Sequence, residues 1–214
     1  MEREIYGMFA TPVSHIKLSQ SFSKEIKWLQ SQEMRHTMSD VQGPHPDRHD
    51  VSKNSYILND KKMKPVLEVI ENEVTLFMKD VLSMAQPGRI TQSWVNRNSP
   101  GEGTHQHAHP NSIVSGVWYF DMPDGKGNIR FHRHKADHGI FEMRPEVKFS
   151  DNMPYWAWDW HEVTPSTGDL VLFPSYLRHS VLPNPANKIR WSLAFNSVPQ
   201  DYLGTLHDLT HFGY

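Results

Sequence analysis

The stretch Thr104-His105-Gln106-His107-Ala108-His109-Pro110 sets three histidines at alternate positions. In an extended strand alternate side chains point to one face, so His105, His107 and His109 would share a side. Imidazole is the commonest protein metal ligand, and such a row can offer more than one nitrogen to a single ion. The chain has 14 His and no Cys in 214 residues. Any metal must therefore be held by nitrogen and oxygen. That excludes disulfides, thiolate zinc sites and thiol catalysis, and favours Fe, Mn, Ni, Cu or a catalytic Zn. The competing reading is a solvated polar strand in a His-rich chain.

Three later stretches bear on that row. In "GDLVLFPSYLRHSVLPNP", Gly168 and Asp169 turn into an apolar strand, Pro174 and Ser175 break it, and His179 opens the next. In "RWSLAFN", Arg190, Ser192, Ala194 and Asn196 share one strand face while Trp191, Leu193 and Phe195 share the other. An Arg facing a core costs several kcal/mol unless an anion pairs with it. The strand after the histidines, "SGVWYF", carries Tyr119, and Asn96 in "SWVNRN" shares a face with Trp94 and could line the same pocket. Two ligands from one strand and a third from a distant strand would leave one side of a metal open. A chelating 2-oxo acid could bind there, and its far carboxylate suits the planar fork of a guanidinium. Arg190 and Ser192 fit that need.

Taken in order, "FATPV", "HAHPNSIVSGVWYF", "GDLVLFPSYLRHSV" and "RWSLAFN" resemble a 2-oxoglutarate-Fe(II) oxygenase family of bacteria and phages, within the 2-oxoglutarate/Fe(II)-dependent oxygenase superfamily. The resemblance spans roughly residues 91–198. It implies a double-stranded β-helix, a jelly-roll and cupin-like barrel, with Fe(II) in its mouth and 2-oxoglutarate as co-substrate. It implies decarboxylation of 2-oxoglutarate to succinate and CO2, coupled by O2 to oxidation, usually hydroxylation, of a second substrate. By the same resemblance His107 and His179 are metal ligands, Arg190 and Ser192 clamp the co-substrate, and Tyr119 meets the same carboxylate. One position departs from the superfamily: His109 stands where a carboxylate ligand is usual. The metal then has three His ligands, or two His and a carboxylate from elsewhere. Three neutral imidazoles leave one negative charge fewer, which raises Lewis acidity and weakens metal affinity.

Two other functions stay open from the residues alone. One is a cupin-like three-His metalloenzyme that does not use 2-oxoglutarate; the other is a non-catalytic jelly-roll binding protein. Arg190 separates the first reading from both, because a metal-only site has no use for it. His132, His134 and His138 form a second cluster, whose charged neighbours suggest a solvated hairpin end. Trp156, Trp158 and Trp160 alternate as a core or interface stripe would.

The elements that must position these residues fall in two halves. Residues 4–18 read as a short strand pair, and Phe22, Ile26 and Leu29 mark a short helix near 20–31. Residues 34–56 are polar with Gly and Pro and read as loop. Val66, Ile70, Val74, Phe77 and Val81 repeat at helical spacing, predicting a long helix near 60–84 capped by Asn59 or Asp60. Beyond Pro87 and Gly88, short β-branched and aromatic runs alternate with turn residues, as in a sandwich or barrel. The expected fold is α+β, mainly β, with the N-terminal helices packed on one sheet. The expected organisation is one domain over 1–214: strands and supporting helices at 1–90, the jelly-roll core at 91–198, and a C-terminal tail at 199–214.

Charge and hydropathy narrow the partners. The formal net charge of −2 gives no basic field, so no nucleic acid is expected. No run of apolar residues is long enough for a membrane span, and the N-terminus lacks the build of a signal peptide. A cytoplasmic enzyme fits these features. Its partners are the small-molecule co-substrate and O2. The primary substrate, whether protein, peptide or small molecule, and a homo-oligomeric state stay open. The polar stretches 34–56 and 133–155 are expected to flank the mouth and set specificity.

Overall fold

The computed structural model describes residues 4, 10–38, 40, 42–43, 45–123, 127–133, 154–155, 158–205 and 207–211. The apolar stripe of the long helix organises the first half. Helix α2 (Lys64–Leu76) buries Val66, Ile70 and Val74 on one side. It is entered through a 3-10 turn, Lys61–Met63, where the Asp60 carboxylate accepts from the Lys62 amide at 2.9 Å. Asp60, of the two expected residues, caps this turn, while α2 itself starts after Met63 with no side-chain cap. The helix continues as a π-helical segment, Phe77–Val81, and ends as Ser83 takes a left-handed φ of 57°. The shorter helix α1 (Ser23–Gln30) lies inside the expected stretch and buries Leu29.

Strands β1 (Ser14–Lys17), β2 (Met34–His36), β3 (Asp50–Ser52), β4 (Gly88–Asn98), β6 (Val114–Asp121), β9 (Asp169–Pro174) and β11 (Arg190–Pro199) make a large sheet, ordered β1-β9-β6-β11-β4-β3-β2. Strands β5 (Thr104–His107), β7 (Ile129–His132), β8 (Trp160–Val163) and β10 (His179–Val181) make a smaller one, ordered β5-β10-β7-β8. All these strand pairs are antiparallel.

Alternation along the strands sorts the core into two layers. Trp118, Phe120, Leu170, Leu172, Leu193 and Phe195 of the large sheet pack with the buried stripe of α2. Their neighbours Tyr119, Val171 and Phe173 point the other way and meet Ile129 and Phe131 of the small sheet. The two sheets thus face each other, and the helices cover the outside of the larger one. Gly88 opens β4 where a Cβ would lie 2.5 Å from Val74 Cγ1, so the helix can approach the strand closely.

Of the strand pair expected within 4–18, the described residues hold one strand, β1, which pairs with β9; residues 5–9 of that stretch lie outside the described set. One expectation is corrected. The stretch 34–56 is more than loop: β2 and β3 pair with each other and extend the large sheet past β4. These strands have three residues each, with one apolar side chain apiece (Met34 and Val51), so no apolar alternation betrays them. Tertiary contacts hold them instead. Arg97 Nε donates to the buried Asp50 carboxylate at 2.9 Å, and Ser52 Oγ accepts from the Val95 amide at 3.0 Å. The C-terminal stretch also contains a small hairpin, β12 (Tyr202–Leu203) with β13 (Thr210–His211).

Candidate metal centre

Strand pairing brings the histidines together. In the antiparallel pair β5–β10, His107 lies directly opposite His179. The next partners are Thr104 and Val181, so three steps on β5 match two on β10. Such a bulge re-aims the side chains beside it. His105 is exposed, its ring centroid 5.5 Å from that of His107, and it does not join the group of converging ring nitrogens. His109 lies beyond the end of β5. There its backbone N–H donates to the Ser175 carbonyl at 3.0 Å, which ties the connection to the end of β9. Asn111 then turns the chain with a φ of 59°. Ser175 Oγ donates to Ser112 Oγ at 2.8 Å and shares a 2.8 Å bond with Ser115 Oγ. One nitrogen from each of His107, His109 and His179 results, all within 4.8 Å of one another.

The protonation state suits ligation. His107 Nδ1 lies 2.8 Å from the His105 carbonyl and His179 Nδ1 lies 2.9 Å from the Leu177 carbonyl. A carbonyl only accepts, so each Nδ1 carries the hydrogen and each Nε2 keeps its lone pair. Burial lowers the pKa of all three rings, with neighbouring imidazoles adding to the effect for His109 and His179: to about 4 for His109 and about 3 for His179. All three are neutral at physiological pH. Phe173 packs against His179 at 4.7 Å between centroids, and Trp94 against His109 at 5.7 Å. Among the described residues no Asp or Glu joins the three.

The second half of the site lies on the large sheet. The ladder β4–β11 pairs Arg190 with Asn98, Ser192 with Asn96 and Ala194 with Trp94. These residues lie on the strand face opposite Trp191, Leu193 and Phe195, and so look toward the small sheet. Asn96 Oδ1 accepts from Trp94 Nε1 at 3.1 Å. Arg190 is 1% exposed, and its Nη1 and Nη2 both donate to the Leu182 carbonyl at 3.2 Å. No carboxylate pairs with it among the described residues. Burial lowers its pKa to about 10, so it still carries its charge at neutral pH. Tyr119 is 2% exposed, and its hydroxyl has no hydrogen-bond partner among the described residues. Burial raises the pKa of that hydroxyl, and the nearby Arg190 pulls it back in part. A buried guanidinium without an anion beside a buried hydroxyl without a partner is the arrangement a carboxylate would complete. Gly127, at a φ of +143°, gives the guanidinium room: a Cβ there would lie 2.5 Å from Arg190 Nη1.

The other candidates lie elsewhere. His132 Nε2 shares a 2.8 Å hydrogen bond with Ser180 Oγ, while His134 and His138 fall outside the described residues. Trp158 and Trp160 meet edge to face at 5.7 Å, and the Arg130 guanidinium lies 4.1 Å over the Trp160 ring. Trp156 falls outside the described residues. One buried residue was missed by sequence reasoning. His49, just before β3, is 6% exposed and sits close enough to His107 and Arg190 to feel both. No periodicity signals it, because it stands in a polar stretch whose strand is made by tertiary pairing.

Residues 92–196 match the family described as "Putative 2OG-Fe(II) oxygenase". A search of curated proteins finds no match. Similar solved structures include a 2OG-Fe(II) oxygenase family oxidoreductase from Burkholderia pseudomallei, at 14% identity and TM-score 0.58, covering 86% of this chain and 84% of that one. A prolyl-4-hydroxylase from Pseudomonas putida is similar at 16% identity and TM-score 0.55, over 88% of this chain and 94% of that one. The epimerase SnoN from nogalamycin biosynthesis, in complex with Fe3+, α-ketoglutarate and nogalamycin RO, is similar at 13% identity and TM-score 0.61, over 89% and 80%. At these identities the likeness carries the fold, which is that of the jelly-roll oxygenases. The family resemblance read from the motifs is shown by the match over 92–196.

Proposed function

We propose, on the premise that residues 92–196 match the family described as "Putative 2OG-Fe(II) oxygenase", that this protein is an Fe(II)- and 2-oxoglutarate-dependent oxygenase that hydroxylates a second substrate. The observation that carries the reading is the pair at the far end of the pocket. Arg190 is a buried cation without a carboxylate partner, and Tyr119 is a buried hydroxyl without a hydrogen-bond acceptor or donor, both among the described residues. A metal-only site explains the histidines and leaves these two unexplained. A dicarboxylate accounts for all of them.

In this reading Nε2 of His107, Nε2 of His179 and a ring nitrogen of His109 hold the metal. Arg190 and Tyr119 hold the distal carboxylate of 2-oxoglutarate, with Ser192 beside them on the same strand face and Asn96 next to Ser192 across the ladder. Bound there, the pair supplies a coupled oxidation in which 2-oxoglutarate, O2 and a C–H substrate become succinate, CO2 and the hydroxylated product. The protein's part is placement. The carbonyls of His105 and Leu177 fix the ring tautomers, and Phe131 and Phe173 exclude water from one side of His179. The guanidinium fork sets the co-substrate's angle. The neutral three-His set leaves the metal without a protein carboxylate. A cytoplasmic setting belongs to the same proposal; no described helix is long and apolar enough to cross a membrane.

The test is anaerobic addition of Fe(II) and then 2-oxoglutarate to the purified protein. A visible charge-transfer band that needs both components supports the reading. Tight metal binding with no band, and no heat of 2-oxoglutarate binding, would favour a cupin-like three-His enzyme that uses the metal alone.

A further inference from the structure

We propose that His49 is an additional co-substrate residue, contacting the distal carboxylate of 2-oxoglutarate together with Arg190 and Tyr119. This rests on the proposed function and deepens it. The placement follows from strand register. Strand β3 pairs with β4 through Asp50↔Arg97 and Val51↔Asn96, and β4 pairs with β11 through Asn98↔Arg190. One more step along β3 sets His49 beside Asn98. His49, Asn98 and Arg190 then form one row across three strands. Alternation puts that row on the face that looks toward the small sheet, since Asp50 and Arg97 pair on the opposite face.

The ring meets the small sheet as well. His49 Nδ1 lies 3.5 Å from Thr104 Oγ1 on β5, the strand that also carries His107. His49 therefore bridges the sheets at the Arg190 end of the cleft, and its electrostatic environment includes both His107 and Arg190. A 2-oxoglutarate reaching from the histidines to Arg190 must span that same interval. The hydrogen-bonding capacity of the ring is largely unspent. The contact to Thr104 is at the limit of a hydrogen bond, and Nε2 has no hydrogen-bond partner among the described residues. Although the residue is 6% exposed, Nε2 is not among the buried polar atoms left without a partner, so it is open to the cleft. A carboxylate beside the Arg and the Tyr would meet it there, with the ring N–H donating. The consequence is that the β2–β3 edge, outside the family match, contributes to co-substrate recognition.

The test is calorimetric titration under anaerobic conditions into Fe(II)-loaded protein, comparing wild type, His49→Leu and His49→Gln, with 2-oxoglutarate and with 2-oxobutyrate. The latter keeps the chelating end and lacks the distal carboxylate. His49→Leu is expected to weaken 2-oxoglutarate roughly tenfold to a hundredfold, the loss of one charge-assisted hydrogen bond. His49→Gln, which keeps an N–H donor, is expected to recover most of that loss. Binding of 2-oxobutyrate and of Fe(II) should be unchanged in both, and thermal melts check that each variant is folded. Equal 2-oxoglutarate affinity in wild type and His49→Leu would overturn the assignment and leave the proposed function standing. So would equal weakening of both acids, which would assign His49 to the metal end or to the fold. If wild type takes no 2-oxoglutarate, the proposed function itself falls.

Discussion

Replacing Tyr119 by Phe should raise stability and lower co-substrate affinity at once. The side chain is 2% exposed and its hydroxyl has no partner among the described residues. An unsatisfied buried polar group costs about 1–3 kcal/mol. Phe keeps the ring and its packing in the layer with Val171 and Phe173 and removes that cost. Taking the low end, about 1 kcal/mol, the midpoint of thermal unfolding of the ligand-free protein should rise by roughly 2–4 °C for a chain of this size. The bound state changes in the opposite direction. A hydrogen bond to a carboxylate is worth about 1.5–3 kcal/mol, so 2-oxoglutarate should bind roughly ten- to a hundredfold more weakly. Differential scanning calorimetry without ligand and anaerobic titration with Fe(II) and 2-oxoglutarate measure the two arms. A fall in the melting midpoint would mean that the hydroxyl is already partnered. An unchanged affinity would mean that the co-substrate does not reach it. Either result refutes the argument from the orphaned hydroxyl.

Arg190→Lys should weaken 2-oxoglutarate by roughly ten- to a hundredfold and leave Fe(II) affinity unchanged, because a point charge cannot copy two parallel hydrogen bonds; titration of each ligand separately checks this. His179→Ala should abolish Fe(II) binding in equilibrium dialysis while far-UV circular dichroism stays that of the wild type, since the other two nitrogens lie within 4.8 Å but cannot complete the set alone. Gly127→Ala should mimic the loss of the clamp with the metal site intact, because its Cβ would lie 2.5 Å from Arg190 Nη1 and 2.9 Å from Cδ; a 2-oxoglutarate affinity equal to wild type would contradict it. Asp169 gives a pH-dependent test. Burial alone would raise its pKa, but the Ser166 amide, His15 and Lys17 outweigh that and hold it below the usual value. A depressed carboxylate stabilises the fold above its unfolded pKa of about 3.9 and loses that contribution as the pH falls through the folded value. Asp169→Asn should therefore be less stable than wild type in urea melts at neutral pH, with the difference shrinking below about pH 4.

Much of the fold was legible in local pattern. The stripe Val66, Ile70, Val74 needs only the period of a helix, and it is the stripe that packs on the large sheet. Alternation in "RWSLAFN" separates Trp191, Leu193 and Phe195 from Arg190 and Ser192, and the two sets do lie on opposite sheet faces. The short strands β2 and β3 were illegible because tertiary partners hold them: Asp50 with Arg97, and Ser52 with the Val95 amide.

The candidate site divides along the same line. Composition and spacing by themselves determined which groups are available: imidazoles without thiols, a guanidinium on the inner face of a strand, and a tyrosine on the strand after the histidines. Which imidazoles meet was decided only in three dimensions. His107 stands opposite His179 because β5 and β10 pair in that register, His105 does not join the converging nitrogens, and the bond to the Ser175 carbonyl brings His109 in. His49 enters by two further pairings, from β3 to β4 and from β4 to β11. The physical reason is that side-chain alternation is a property of a few consecutive peptide units, whereas strand register is a sum of contacts between residues far apart in the chain.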